Sequence, residues 1–131
     1  MAANTSPIFT LTPVIGMAQI STANTNRDGT GTIESVLIGG TEGTRIHRIT
    51  IKAIATTTAG IIRLFIDDGS NVRLWREILV TAITPSASVA TFEEEILLDE
   101  EEALILPATY ELQAATHNAE SFNIIAEGGD Y

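Results

Sequence analysis

The chain has 131 residues, 44% of them hydrophobic and 18% charged, with 7 Lys and Arg against 17 Asp and Glu for a formal net charge of -10. This length and hydrophobic content suit one domain with a real core and exclude an intrinsically disordered chain. The charge repels phosphate, so nucleic acid is not an expected partner, and the lack of cysteine excludes a disulfide framework, a thiolate metal site and a thiol nucleophile.

No run of about 18 apolar residues occurs, and no basic stretch followed by an apolar one opens the chain, so neither a membrane span nor a secreted precursor is expected. Stability must come from packing or from oligomerisation, in a reducing cytosol. The acidity reads either as a self-repelling soluble surface or as a match to a partner with basic patches.

Residues 1–12 are polar and punctuated by Pro7, and read as an extended N-terminal arm that orders on docking; residues 13–131 read as a single domain. A first strand is expected over 14–20, with Val14, Gly16, Ala18 and Ile20 on one parity and Ile15, Met17 and Gln19 on the other. Residues 21–32, rich in Asn, Asp, Gly and Thr, should form a surface loop of the kind that carries contacts.

A second strand follows over 33–38, then a glycine-rich turn at 39–43 and a long strand over 45–55. There Ile49, Ile51 and Ala53 point to the core and Arg48, Thr50 and Lys52 to water. Over 61–66, Ile62, Leu64 and Ile66 are expected inside and Arg63 outside. Asp68-Gly69 suits a turn with two positive φ angles, so this strand and the one over 72–80 should make a hairpin.

A loop with Pro85 leads to a strand over 89–98. The acidic segment 99–102 should face solvent, and short strands follow over 103–106, 110–114 and 122–126. About nine short strands at regular spacing predict an all-β antiparallel two-sheet sandwich, with a jelly roll as the expected winding and an immunoglobulin-like arrangement as the alternative. No period of 20–50 residues marks a solenoid or propeller.

Catalytic constellations are poor. His47 and His117 lie on separate segments without a nucleophile motif and read as surface or turn imidazoles. Asp67, Asp68, Ser70 and Asn71, with the acidic segment 99–102, offer oxygen ligands for calcium. Their spacing is not an EF-hand, and turn chemistry explains Asp67 and Asp68 better. The turn at 39–43 lacks the Lys of a phosphate loop. Glu93, Glu94 and Glu95 alternate faces of one strand and cannot converge as glycosidase carboxylates. Neither an enzyme nor a cofactor is implied.

Interface residues are a better expectation. Arg73, Trp75 and Arg76 combine the residue types enriched at hot spots, although Trp75 could equally fill the core with the two Arg in surface ion pairs. Ile8, Phe9 and Leu11 give the arm apolar side chains to bury.

The segments Ile46-His47-Arg48-Ile49-Thr50-Ile51-Lys52-Ala53, Thr56-Thr57-Thr58-Ala59-Gly60, Arg63-Leu64-Phe65-Ile66 and Asn71-Val72-Arg73-Leu74-Trp75-Arg76-Glu77 resemble small virion proteins of tailed bacteriophages. So do Tyr110-Glu111-Leu112-Gln113-Ala114, Thr116-His117-Asn118-Ala119-Glu120 and the tail from Phe122 to Tyr131. In size and style the chain is similar to capsid decoration, or cement, proteins. That resemblance implies a homo-oligomer, a trimer by expectation, bound to the major capsid protein on the virion head after assembly in the host cytoplasm. A tail, collar or fibre-associated virion protein is the alternative within this class. A carbohydrate-binding module is the alternative outside it, weakened by an aromatic content of 5%.

Overall fold

The computed structural model describes residues 9–98 and 103–131. No helix occurs among them, and nine strands run in chain order: β1 (Thr12–Ile20), β2 (Glu34–Ile38), β3 (Thr44–Ala53), β4 (Gly60–Asp67), β5 (Val72–Val80), β6 (Glu93–Leu97), β7 (Leu104–Leu106), β8 (Glu111–Thr116) and β9 (Phe122–Asp130).

They form two antiparallel sheets. The first has the order β1-β9-β3-β6, with β7 also paired to β3; the second has the order β2-β8-β4-β5. The two sheets pack as a β-sandwich, as the alternation of short strands predicts. The chain crosses between sheets at most connections, while β4–β5 and β6–β7 each join strands of one sheet.

The core is what period-two alternation places between the layers. Ile46, Ile49, Ile51, Phe122 and Ile124 of the first sheet meet Leu37, Ile62, Leu64 and Leu112 of the second, all buried. Phe92 closes onto Phe122 edge to face, with ring centroids 6.4 Å apart and planes at 87°. Each such side chain contributes roughly 1.5–3 kcal/mol on burial.

In β3 the buried residues switch parity between Ile46 and Ile49, because His47 is the extra residue of a bulge against β9. The spacing Ile46-x-x-Ile49 is the trace of that bulge in the sequence.

β1 and β2, each at one edge of its sheet, pack closely enough to close one side of the sandwich. A Cβ on Gly16 would stand 2.3 Å from the Val36 carbonyl oxygen and 2.7 Å from the Leu37 Cβ, so only glycine admits this approach. The opposite side, between β5 and β6, stays open as a cleft of about 760 Å³ bordered by Arg76, Glu77, Ile78, Leu79 and residues of β6.

Several expected elements shift. The hairpin forms, pairing Asp67 with Val72, but its turn spans four residues and only Gly69 takes a positive φ, 95°. Asp68 instead accepts hydrogen bonds at Oδ1 from the Ser70 and Asn71 amides at 2.9 and 2.7 Å, a side-chain-built turn in place of the two-residue one. The strand expected from 89 begins at Glu93, since Val89 pairs with Ser86 in a small turn of its own. β9 continues through Gly128 and Gly129 to Asp130, well beyond 126, because β1 and β3 flank it on both sides and bond its backbone along its whole length.

Candidate interaction surface

The outer face of the first sheet carries a contrast of residue types. β3, β9 and β6 show charged pairs there. Arg48 Nε donates to Glu127 Oε2 at 2.6 Å, and a second guanidinium nitrogen contacts the same oxygen; Arg48 also lies 3.5 Å from Glu95, and Lys52 lies 3.6 Å from Glu93. The Glu127 carboxylate beside Arg48 raises the guanidinium pKa above its ordinary value.

On β1 the same face is apolar. Ile15 and Met17 are 61% and 72% exposed, Pro13 is exposed beside them, and Ile125 of β9 lies opposite Met17, half-buried. Gln19 and Asn123, joined by a 3.1 Å hydrogen bond, border the strip. A half-buried edge strand ordinarily turns polar residues outward, so an apolar strip with a polar rim marks a contact surface.

At the N-terminal end of this strip the chain enters β1. The Leu11 amide donates to the Asp130 carbonyl at 2.8 Å, and Thr10 lies against Gly129, while the side chains of Phe9 and Leu11 stand 77% and 84% exposed. Ile8 and the rest of the arm up to it lie outside the described residues, as does the acidic segment 99–102.

Arg73, Trp75 and Arg76 sit on β5, the edge of the other sheet. Trp75 is the extra residue of a bulge against β4 and packs on the core, and the Arg76 guanidinium lies 4.8 Å from its ring centre. Arg73 is exposed. Neither Arg forms an ion pair among the described residues, whereas the alternative reading of this segment had both in surface pairs. β5 lies three strand spacings from β2, beside which β1 packs, roughly 14 Å. The structure therefore does not bring the arm residues and the β5 residues together into one patch.

A third cluster escapes the alternation pattern altogether. Arg63 does point away from the core, yet it is fully buried. The loop between β1 and β2 folds down over this face: Ala23 bridges Thr116, and the Asn24 amide donates to the Thr116 carbonyl at 2.8 Å. Beneath it, Arg63 donates to Glu77 Oε2 at 3.0 Å and to the Asn24 carbonyl at 3.1 Å, and its second terminal nitrogen lies 3.1 Å from His117 Nδ1.

Arg27, from the same loop, donates to Glu77 Oε2 at 2.6 Å. Hydrogen bonding from Arg27, and then from Arg63, holds the Glu77 carboxyl below its ordinary pKa. Asn24 fastens the loop from inside, donating to the carbonyls of Thr30 and Thr32. These contacts pin the loop to the sheet.

Asp67 and Asp68, considered for calcium, are likewise hydrogen-bonded within the fold. Asp67 Oδ1 accepts from the Gly69 amide and Oδ2 from Gln113, while hydrogen bonds from the Asn71 and Ser70 amides lower the Asp68 pKa. Among the described residues no three His, Asp or Glu side chains gather as metal ligands.

Sequence reasoning separated the two parities of β1 without using the outer one. The signal was present: Val14, Ala18 and Ile20 alternate with Ile15 and Met17, so both faces are apolar on a strand that has only one core to face. No family model and no curated protein matches the chain.

Proposed function

We propose that this protein is a structural component of a tailed-phage virion, a capsid decoration protein that binds the assembled head shell and stabilises it. One observation carries the reading: Phe9 and Leu11 stand exposed where the chain enters β1, at the end of an apolar strip bounded by polar residues. Such an arrangement suits an arm that packs on a neighbouring protein.

The winding supports it. The nine strands in two sheets, β1-β9-β3-β6 with β7 and β2-β8-β4-β5, suit a jelly-roll winding, an architecture used by viral shell domains and also by lectins. The sugar-binding alternative gains little from the surface, since Trp75, the one tryptophan, packs on the core and is not displayed as a platform.

The mechanism is linkage. A protein that binds the assembled lattice and not free subunits shifts assembly by mass action, and self-association multiplies modest contacts through avidity. The major capsid protein and further copies of this chain are thus its partners.

Co-sedimentation with pre-assembled shells tests the proposal. The full chain should pellet with shells at a fixed copy number, and removal of residues 2–11 should weaken attachment while the strands from Thr12 onward keep the sandwich folded. Equal binding by the truncated chain would discard the arm as anchor. No binding by the full chain, or its location at the tail in electron micrographs of native particles, would overturn the decoration role.

A further inference from the structure

We propose that the outer face of β1 is the surface through which copies of this chain associate with one another, with Ile15 and Met17 at its centre. The inference deepens the self-association in the reading above by naming its surface, and it is tested on the free protein without any particle.

Charge selects the occupant. The strands at the edges of the two sheets are β1, β2, β5, β6 and the three-residue β7, which pairs only with β3. β2 carries Glu34, β5 carries Arg73, Arg76 and Glu77, and β6 carries Glu93, Glu94 and Glu95, whereas the nine residues of β1 contain no charge. Charged side chains or very short length keep an edge strand from meeting another copy; β2, β5 and β6 carry charge and β7 has three residues, whereas β1 has nine residues and neither protection.

Two molecules of formal charge -10 repel each other, so they meet at least electrostatic cost through a strand without charge. A partner recognised by basic groups would instead seek the glutamates of β6.

The surface also has the anatomy of a contact. Ile15 and Met17 with Ile125 form an apolar centre on the order of 300 Å², the size of the largest patch on many single chains, which is often a functional one. Pro13, Gln19, Asn123 and Glu127, the last opposite Ile15 with its charge paired to Arg48, surround it and extend the area toward the roughly 800 Å² per partner of a stable interface.

The test is sedimentation equilibrium on the full chain and on three variants, with circular dichroism recorded for each. The wild type should form an assembly of two or three 14.0 kDa chains. Met17→Lys should reduce it to monomer with the β spectrum retained. Ile15→Thr, which keeps a β-branched side chain, should raise the dissociation constant about tenfold. Leu79→Lys, on β5 and equally exposed at 76%, should leave the assembly intact. A monomeric wild type at tens of micromolar overturns the proposal, as does a Met17→Lys variant that assembles like the wild type or dissociation caused by Leu79→Lys instead. Loss of shell binding with assembly intact would count against the decoration role alone.

Discussion

The outer faces of the two sheets invert what their sequences suggest. On the second sheet, Arg63 occupies a position where alternation places a solvated cation, and it is buried under the β1–β2 loop with Glu77, Asn24 and His117 around it. On the first sheet, Ile15 and Met17 occupy outward positions and stay bare. Polarity along a strand says which residues share a face, but the path of a connecting loop decides whether that face is wet. The covered face spends its polar groups on holding a loop, and the bare one keeps its apolar groups for something outside the chain.

The comparison breaks most sharply at Arg63. Replacing it with Ala removes three polar partnerships beneath the loop and leaves a cavity, so Arg63→Ala should cost about 3 kcal/mol in urea denaturation. A loss below about 0.5 kcal/mol would mean the loop is held by other contacts. At the closed side of the sandwich, Gly16→Ala drives a Cβ into the Val36 carbonyl. It should cost roughly 1–3 kcal/mol, seen as a lower urea midpoint with an unchanged slope.

Acid probes the covered face through Glu77. Glu77 is held below its ordinary pKa in the folded protein, first by Arg27 and then by Arg63. The stability it contributes is therefore present above its unfolded-state pKa and disappears as pH falls through the lowered folded value. Hydrogen exchange should show amides of Asn24 and Asn26 losing protection in that acidic window before the core strands do. Uniform loss across both sheets would contradict a loop pinned by Glu77.

A smaller effect is expected at Arg27, whose partly solvated pair with Glu77 is screened; Arg27→Ala should cost less than about 1 kcal/mol by thermal denaturation. The smallest belongs to the bare face. Met17→Thr should change the urea-unfolding free energy of the separated chain by no more than about 0.5 kcal/mol, since Met17 is exposed in it. A larger loss would show that Met17 supports the fold itself.

The β-sandwich was legible in the sequence because alternation and turn chemistry are local. Ile49, Ile51 and Ala53 against Arg48, Thr50 and Lys52 betray a half-buried strand within six residues, and Asp68-Gly69 betrays a hairpin. The candidate surface was only partly legible. Phe9 and Leu11 stood out as apolar residues in a polar segment, and both are exposed. Trp75 and Arg76 stood out by residue type, yet a bulge turns Trp75 onto the core with Arg76 beside its ring.

Composition and local pattern alone determined an all-β chain of about nine strands, a core built from alternating Ile, Leu, Val and Phe, and an acidic surface without cysteine chemistry. Tertiary structure alone decided that Arg63 is buried, that β1 closes against β2 through Gly16, and that Ile15 and Met17 remain bare. These outcomes depend on contacts between residues far apart in the chain: Ala23 with Thr116, Gly16 with Val36, and β1 with β9. A strand's own pattern carries the direction of its side chains, whereas the neighbour that covers or spares them arrives from elsewhere in the chain.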